Sequence, residues 1–175
     1  MEIFRNNGTL EISEIDPFLA ELLRQVPAST KSEALPAVEQ RLFSAPAGPN
    51  EKEFCAEWKL YVEPGLRRLF QTCTETVESD LRQLGDNEKP FANCTLRIPV
   101  AHSEAWLNAL NQARLALATK YDFSEDELCD HYRSPIGSRR DLSLFQVNFY
   151  GFLQEFILRE MECSSGAAPP AAPNE

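Results

Sequence analysis

One cation interrupts an otherwise apolar helical stripe: Arg114 lies between Leu110 and Leu117. A guanidinium there is costly unless it is paired and hydrogen-bonded. Two chemistries follow. Arg114 can be a structural ion pair that fixes helix register, with Glu63 or Glu155 as the carboxylate, or helix-end carbonyls as acceptors. Alternatively it can hold an anion or an interface, and so serve an enzyme with an arginine-anchored anionic substrate. Structural ion-pair networks also perturb buried charges, so the structural outcome is the expectation.

The other reactive side chains are scattered. Cys129, Asp130 and His131 bring a thiol, an acid and an imidazole together, but no second ligand pair stands at zinc spacing. His102 precedes a helix start. Neither histidine is expected to bind metal. Five cysteines (55, 73, 94, 129 and 163) make an odd number without a CxxC pair, so neither a disulfide framework nor a zinc knuckle is expected. A reducing cytoplasm is the default for such usage. Cys73 falls on an apolar stripe and reads as core, while Cys55 and Cys129 have acidic neighbours that blunt a thiolate. GxSxG, P-loop, GxGxxG and HExxH patterns are absent. The expectation is a protein that is not an enzyme and takes no cofactor.

Cations gather in two places. Arg133, Arg139 and Arg140 surround the loop 134–138, and Arg67-Arg68 follow Pro64-Gly65. Merged, they would make a basic patch. The chain as a whole carries 17 Lys+Arg against 27 Asp+Glu, a net charge of −10, which opposes general affinity for nucleic acid or an anionic membrane. The start, Met1-Glu2-Ile3-Phe4, lacks the basic and apolar regions of a signal peptide. No apolar run is long enough to span a bilayer.

These residues need elements to position them. Asn6-Asn7-Gly8 between Ile3-Phe4-Arg5 and Thr9-Leu10-Glu11-Ile12 predicts a β-hairpin. Ser13 or Asp16 caps a short helix with Pro17 in its first turn, Phe18, Leu22 and Leu23 inward, and Pro27 as its stop. A helix over 33–43 carries Leu35, Val38 and Leu42, and a Pro/Gly loop follows at 45–50. From 50 to 84 the pattern is helical, with Phe54, Trp58, Tyr61, Leu66, Leu69, Phe70, Cys73, Val77, Leu81 and Leu84 on its stripe. Pro64-Gly65 predicts two helices meeting near 63–65, or one sharp kink. Gly85-Asp86-Asn87 ends the segment.

Residues 94–99 read as a third strand, with Pro99 at an edge or strand end. A helix then runs from Ser103 to about Tyr121 with Trp106, Leu107, Leu110, Ala113, Leu117, Ala118 and Tyr121 on one face. A short helix over 125–132 leads to the last one, 140–162, whose aromatic stripe (Leu142, Phe145, Phe149, Phe152, Leu153, Phe156) should lie at the centre of the core. The Pro/Ala-rich residues 163–175 have little to bury and read as a disordered tail. The fold class is therefore α+β and predominantly helical: about six helices and a small antiparallel sheet in one domain over 1–162.

The order of these elements, the Arg41-Leu42-Phe43 turn before the Pro-rich loop, and above all the run Ala105-Trp106-Leu107-Asn108-Ala109-Leu110-Asn111-Gln112-Ala113-Arg114-Leu115-Ala116-Leu117-Ala118-Thr119 ahead of Leu153-Gln154-Glu155 resemble the domain of unknown function 2017 family, best known from actinobacteria. The resemblance implies no assigned activity and no catalytic residues to carry over. Its genes often neighbour that of the Clp protease adaptor, and some members are discussed as stress-linked regulators, which favours regulation or protein interaction over catalysis. The leading expectation is a non-catalytic, cytoplasmic regulatory or adaptor-like protein with a protein partner. A redox-responsive transcription regulator is the alternative, with Arg67/Arg68 and Arg139/Arg140 on DNA. Arg114, Trp106, Arg139 and Arg140 are the candidate structural or interface residues.

Overall fold

Two residues that tolerate positive φ set the hairpin. In the computed structural model, which describes residues 1–31, 35–48, 50–84, 94–129 and 136–165 (side chains to 162), strands β1 (Glu2–Asn6) and β2 (Thr9–Ile15) are antiparallel, with Asn6 opposite Thr9. Asn7 and Gly8 alone lie between, at φ 45° and 80°, as a type I′ turn requires. Strand β3 (Cys94–Pro99) pairs antiparallel with the other edge of β2, so the order is β1-β2-β3. Pro99 ends β3 on an edge, opposite Thr9, where its missing N–H breaks no ladder.

β2 runs three residues beyond its expected end. Ile12 faces Leu96 but Ile15 faces Cys94, so one extra residue sits in β2, and Glu14 takes φ 53°. This bulge resets the alternation. Leu10, Ile12 and Ile15 all point into the core beside Leu96 and Ile98, whereas unbroken alternation would have aimed Glu14 inward.

Asp16 caps α1 (Pro17–Arg24), its carboxylate accepting from the N–H groups of Phe18 (2.9 Å) and Leu19 (3.0 Å). Ala20, Leu22 and Leu23 are buried, but Phe18 faces outward. Pro27 does not stop the chain's helical course. After a break at Gln25 it occupies the first turn of α2 (Val26–Ser29), where no N–H is needed. Helix α3 (Pro36–Phe43) also begins on proline, behind an extended Leu35.

Helical elements meet beside Pro64, as expected, and a π turn makes the junction. Helix α4 (Lys52–Glu57) passes into a π turn (Trp58–Val62), closed by Glu63 N–H donating to the Trp58 carbonyl, and continues as α5 (Glu63–Leu81). The wider turn spans the position where proline lacks a donor. A 3₁₀ turn at Arg82–Leu84 ends the run, and the expected stop at 85–87 lies outside the described residues.

Helix α6 (Ser103–Tyr121) is the central axis. It buries Trp106, Ala109, Leu110, Ala113, Ala116 and Leu117 between α5, α2 and α3 on one side and α8 (Arg139–Ser165) on the other. Asp122, at φ 51°, ends α6 in the left-handed cap, and α7 (Glu125–Cys129) follows. The buried face of α8 matches the expected stripe only in part, at Phe149 and Leu153. Val147, Phe149, Tyr150, Leu153 and Ile157 are inside, Phe145 and Phe156 are half-buried, and Phe152 is exposed. The sheet's inner face, α1, α5, α6 and α8 share one continuous core. The expected tail beyond 165 lies outside the described residues.

Candidate functional site

Three clusters of polar side chains occupy the helix interfaces, and each answers a question posed by the sequence. Arg114 is half-buried, and its partner is not an acid. Its Nη1 donates to Gln154 Oε1 at 2.6 Å, and Gln154 Nε2 donates to the Leu107 carbonyl at 3.0 Å. Among the described residues no carboxylate pairs with it; Glu63 binds Arg67 and Glu155 binds Arg159 instead. Burial lowers the pKa of Arg114, and its Nε has no acceptor. The guanidinium lies over Gly151 of α8, where an added Cβ would come within 3.2 Å of Cζ. The arginine thus bridges α6 to α8 through a neutral amide.

Trp106 is fully buried, and its indole N–H donates to Asp80 Oδ2 at 2.9 Å. His102 Nδ1 contacts both oxygens of the same carboxylate at 3.0 Å. Asp80, buried on α5, therefore ties that helix to the start of α6. The sequence offered a signal for Asp80 that is easily passed over: an acid three residues after Val77 and four before Leu84, inside an apolar stripe. Tyr150 forms the third cluster. Its hydroxyl donates to the Leu22 carbonyl (2.7 Å) and accepts from Gln146 Nε2 (2.6 Å), and burial pushes its pKa up to about 12.

The arginines of the expected basic patch are largely engaged. Arg67 is held by Glu39 (2.6 Å) and Glu63 (2.8 Å) and lies 3.9 Å over the Phe43 ring. Arg140 makes a two-point contact with Glu127 (2.6 and 3.0 Å) and covers Phe123. Glu127 is in turn held down to about pH 2 by Arg140 and by the Ser124 N–H of its capping box. Arg133 and His131 lie outside the described residues. Cys73 is buried, and burial together with Glu104 raises its pKa, so it is a poor nucleophile. The described cysteines 55, 73, 94 and 129 are free thiols. No group of three or more His, Cys, Asp or Glu side chains among the described residues is arranged to hold a metal ion. No described helix is long and apolar enough to cross a membrane.

Two surface features remain. The first is the helical arm 52–62, in which no residue is buried. Leu60 and Tyr61 are 64% and 74% exposed, and Phe54, Val62 and Leu69 are also exposed. The sequence pattern places Phe54, Tyr61 and Leu69 on one helical stripe; helical spacing shows a shared stripe but not whether anything covers it. The second is a cleft of about 450 Å³ between α2, α3, α6 and the first turns of α8, lined in part by Lys31, Lys120 and Arg139. Arg114 does not line it.

Such an arrangement defines a small helical α+β domain in which Asp80, Arg114 and Tyr150 join helices through the interior. The chain belongs to the family described as domain of unknown function (DUF2017), whose model matches residues 8–161. No curated protein and no solved structure matches it.

Proposed function

We propose that this chain is a non-catalytic, cytoplasmic regulatory or adaptor-like protein that works by binding another protein, and that the arm 52–69 is its docking surface. The observation that carries this reading is the exposure of Phe54, Leu60, Tyr61, Val62 and Leu69 along one helical run. Together they leave on the order of 500 Å² of apolar surface in water, at about 150–250 Å² for a whole aromatic side chain. Patches above a few hundred Å² mark interaction sites on soluble chains.

The occupant is an amphipathic helix on a basic protein. A net charge of −10 repels a second copy at long range and attracts a cationic partner. The arm itself is nearly balanced, with Glu53, Glu57 and Glu63 against Lys52, Lys59, Arg67 and Arg68, so its centre presents apolar contact without a field of its own. The wild-type chain and the Leu60→Glu/Tyr61→Glu double variant are coupled to resin and challenged with native lysate at low and high salt. Sedimentation of both proteins runs in parallel. A basic protein retained stoichiometrically by wild type, shed by the double variant and weakened by salt is the expected result. Equal retention by both proteins, or a concentration-dependent dimer abolished by the double substitution, overturns it.

A further inference from the structure

The cleft between α2, α3, α6 and α8 is charged against the grain of the chain. Lys31, Lys120 and Arg139 line it, and among the described residues no Asp or Glu does, although acids outnumber bases 27 to 17. Lys120 sits 5.4 Å from the Tyr121 ring. None of the three cations forms an ion pair among the described residues. The rest of the wall divides into two kinds. Leu35, Val38, Leu117 and Leu142 are apolar, while Gln25, Ser29, Ser143 and Gln146 are neutral and polar. Gln146 is buried, and its amide is fixed by Tyr150 and Gln25. The 27-residue helix α8 starts at the cleft's edge, where Arg139, Leu142 and Ser143 line it.

Three cations around one concavity, none of them in an ion pair among the described residues, repel each other, and an anion seated among them removes that repulsion. The volume lies within the range of small-molecule sites. Apolar walls reject a bare, strongly hydrated ion and favour one that carries hydrocarbon. From these features we infer that the cleft is a binding site for a small amphipathic anion, a carboxylate or phosphate on a short apolar chain. Its head lies among Lys31, Lys120 and Arg139, and its tail lies against Val38, Leu117 and Leu142. The site is separate from the arm 52–69 and stands whether or not that arm docks a partner.

Calorimetric titration of the full chain at low salt with octanoate, octyl phosphate and octan-1-ol tests this directly. The two anions are expected to bind one to one, at least tenfold more tightly than the alcohol, with the preference shrinking as salt rises. Their relative affinities tell carboxylate from phosphate. Arg139→Glu and Lys120→Glu should each weaken anion binding tenfold or more, and Leu60→Glu/Tyr61→Glu should leave it unchanged. Near-UV circular dichroism confirms that each variant is folded. The wild-type comparison needs no variant: equal binding of octanoate and octan-1-ol, or no binding of either anion at millimolar concentration, overturns the inference. Anion binding that survives both charge reversals, or that is lost with the arm variant, overturns it as well.

Discussion

Gly151 lies under the Arg114 guanidinium, so the two residues should be thermodynamically coupled. Alanine is worth about 1 kcal/mol more than glycine in a helix interior, and α8 continues through this position. A Cβ at 151 would meet Arg114 Cζ at 3.2 Å, Nη2 at 3.3 Å and Nε at 3.4 Å. The guanidinium must give by a few tenths of an ångström, which stretches its 2.6 Å bond to Gln154. A hydrogen bond from a charged donor contributes about 1.5–3 kcal/mol, so partial loss outweighs the propensity gain. Gly151→Ala should therefore destabilise the wild type by about 1 kcal/mol and stabilise the Arg114→Ala background by about 1 kcal/mol, a coupling near 2 kcal/mol and within the range for contacting residues. Arg114→Met provides a second arm. Removing one member of a buried ion pair costs about 3–5 kcal/mol, but here no carboxylate is left behind, so Met should cost under about 2 kcal/mol. Urea titration followed at 222 nm reads all four corners of the cycle. An equal effect of Gly151→Ala in both backgrounds, or a Met variant as damaged as a broken ion pair, would refute the packing described.

Asp80→Ala should cost about 3 kcal/mol, because it strands the buried Trp106 N–H and the His102 contact, while Asp80→Asn should recover part by accepting from the indole; urea midpoints rank the two. Tyr150 titrates near 12 in the folded chain against 10.0 as its ordinary value. Raising a folded pKa adds stability that is complete below pH 10 and fades as pH climbs towards 12, by about 3 kcal/mol at 1.36 per unit. Tyr150→Phe should flatten that alkaline loss, and a wild-type stability unchanged between pH 9 and 12 would speak against it. Phe149→Ala should lower stability by about 3–5 kcal/mol, the cavity cost of a buried phenylalanine, whereas Phe152→Ala should stay within about 1 kcal/mol because that ring is exposed; thermal melts compare them.

Local chemistry was legible where a single residue type settles a backbone conformation. Asn7-Gly8, the Asp16 cap and Pro99 each behave as the sequence predicts, since positive φ, a capping oxygen and a missing donor are properties of the residue itself. The three-strand sheet followed from those anchors. What a stripe faces is not such a property. Phe54, Trp58 and Tyr61 have the spacing of a core helix, yet they stand on an arm with no buried residue. On α8 the broad run of aromatics hid part of the inner face: Phe149 and Leu153 are inside as expected, but Val147, Tyr150 and Ile157 complete that face in place of Phe145, Phe152 and Phe156. Periodicity alone could not choose between two overlapping faces. The bulge at Glu14 escaped for a related reason: its cause is the need to bury Ile15 against a partner strand about eighty residues away.

The interior polar residues explain why the candidate sites lie where they do. Asp80 joins α5 to the start of α6, Arg114 joins α6 to α8, and Tyr150 joins α8 to the end of α1. Each of these bonds crosses between helices whose apolar faces are broad enough to pack at several rotations, as the two overlapping faces of α8 illustrate. A directional bond at each crossing selects one of them, because a slipped register would leave a buried donor or acceptor without a partner at about 1–3 kcal/mol apiece. Arg139 and Arg140 differ although they are adjacent. Arg140 is spent on Glu127 and Phe123. Arg139 lines the cleft with Lys31 and Lys120 and forms no ion pair among the described residues, which is why the anion site is proposed there and not at Arg140.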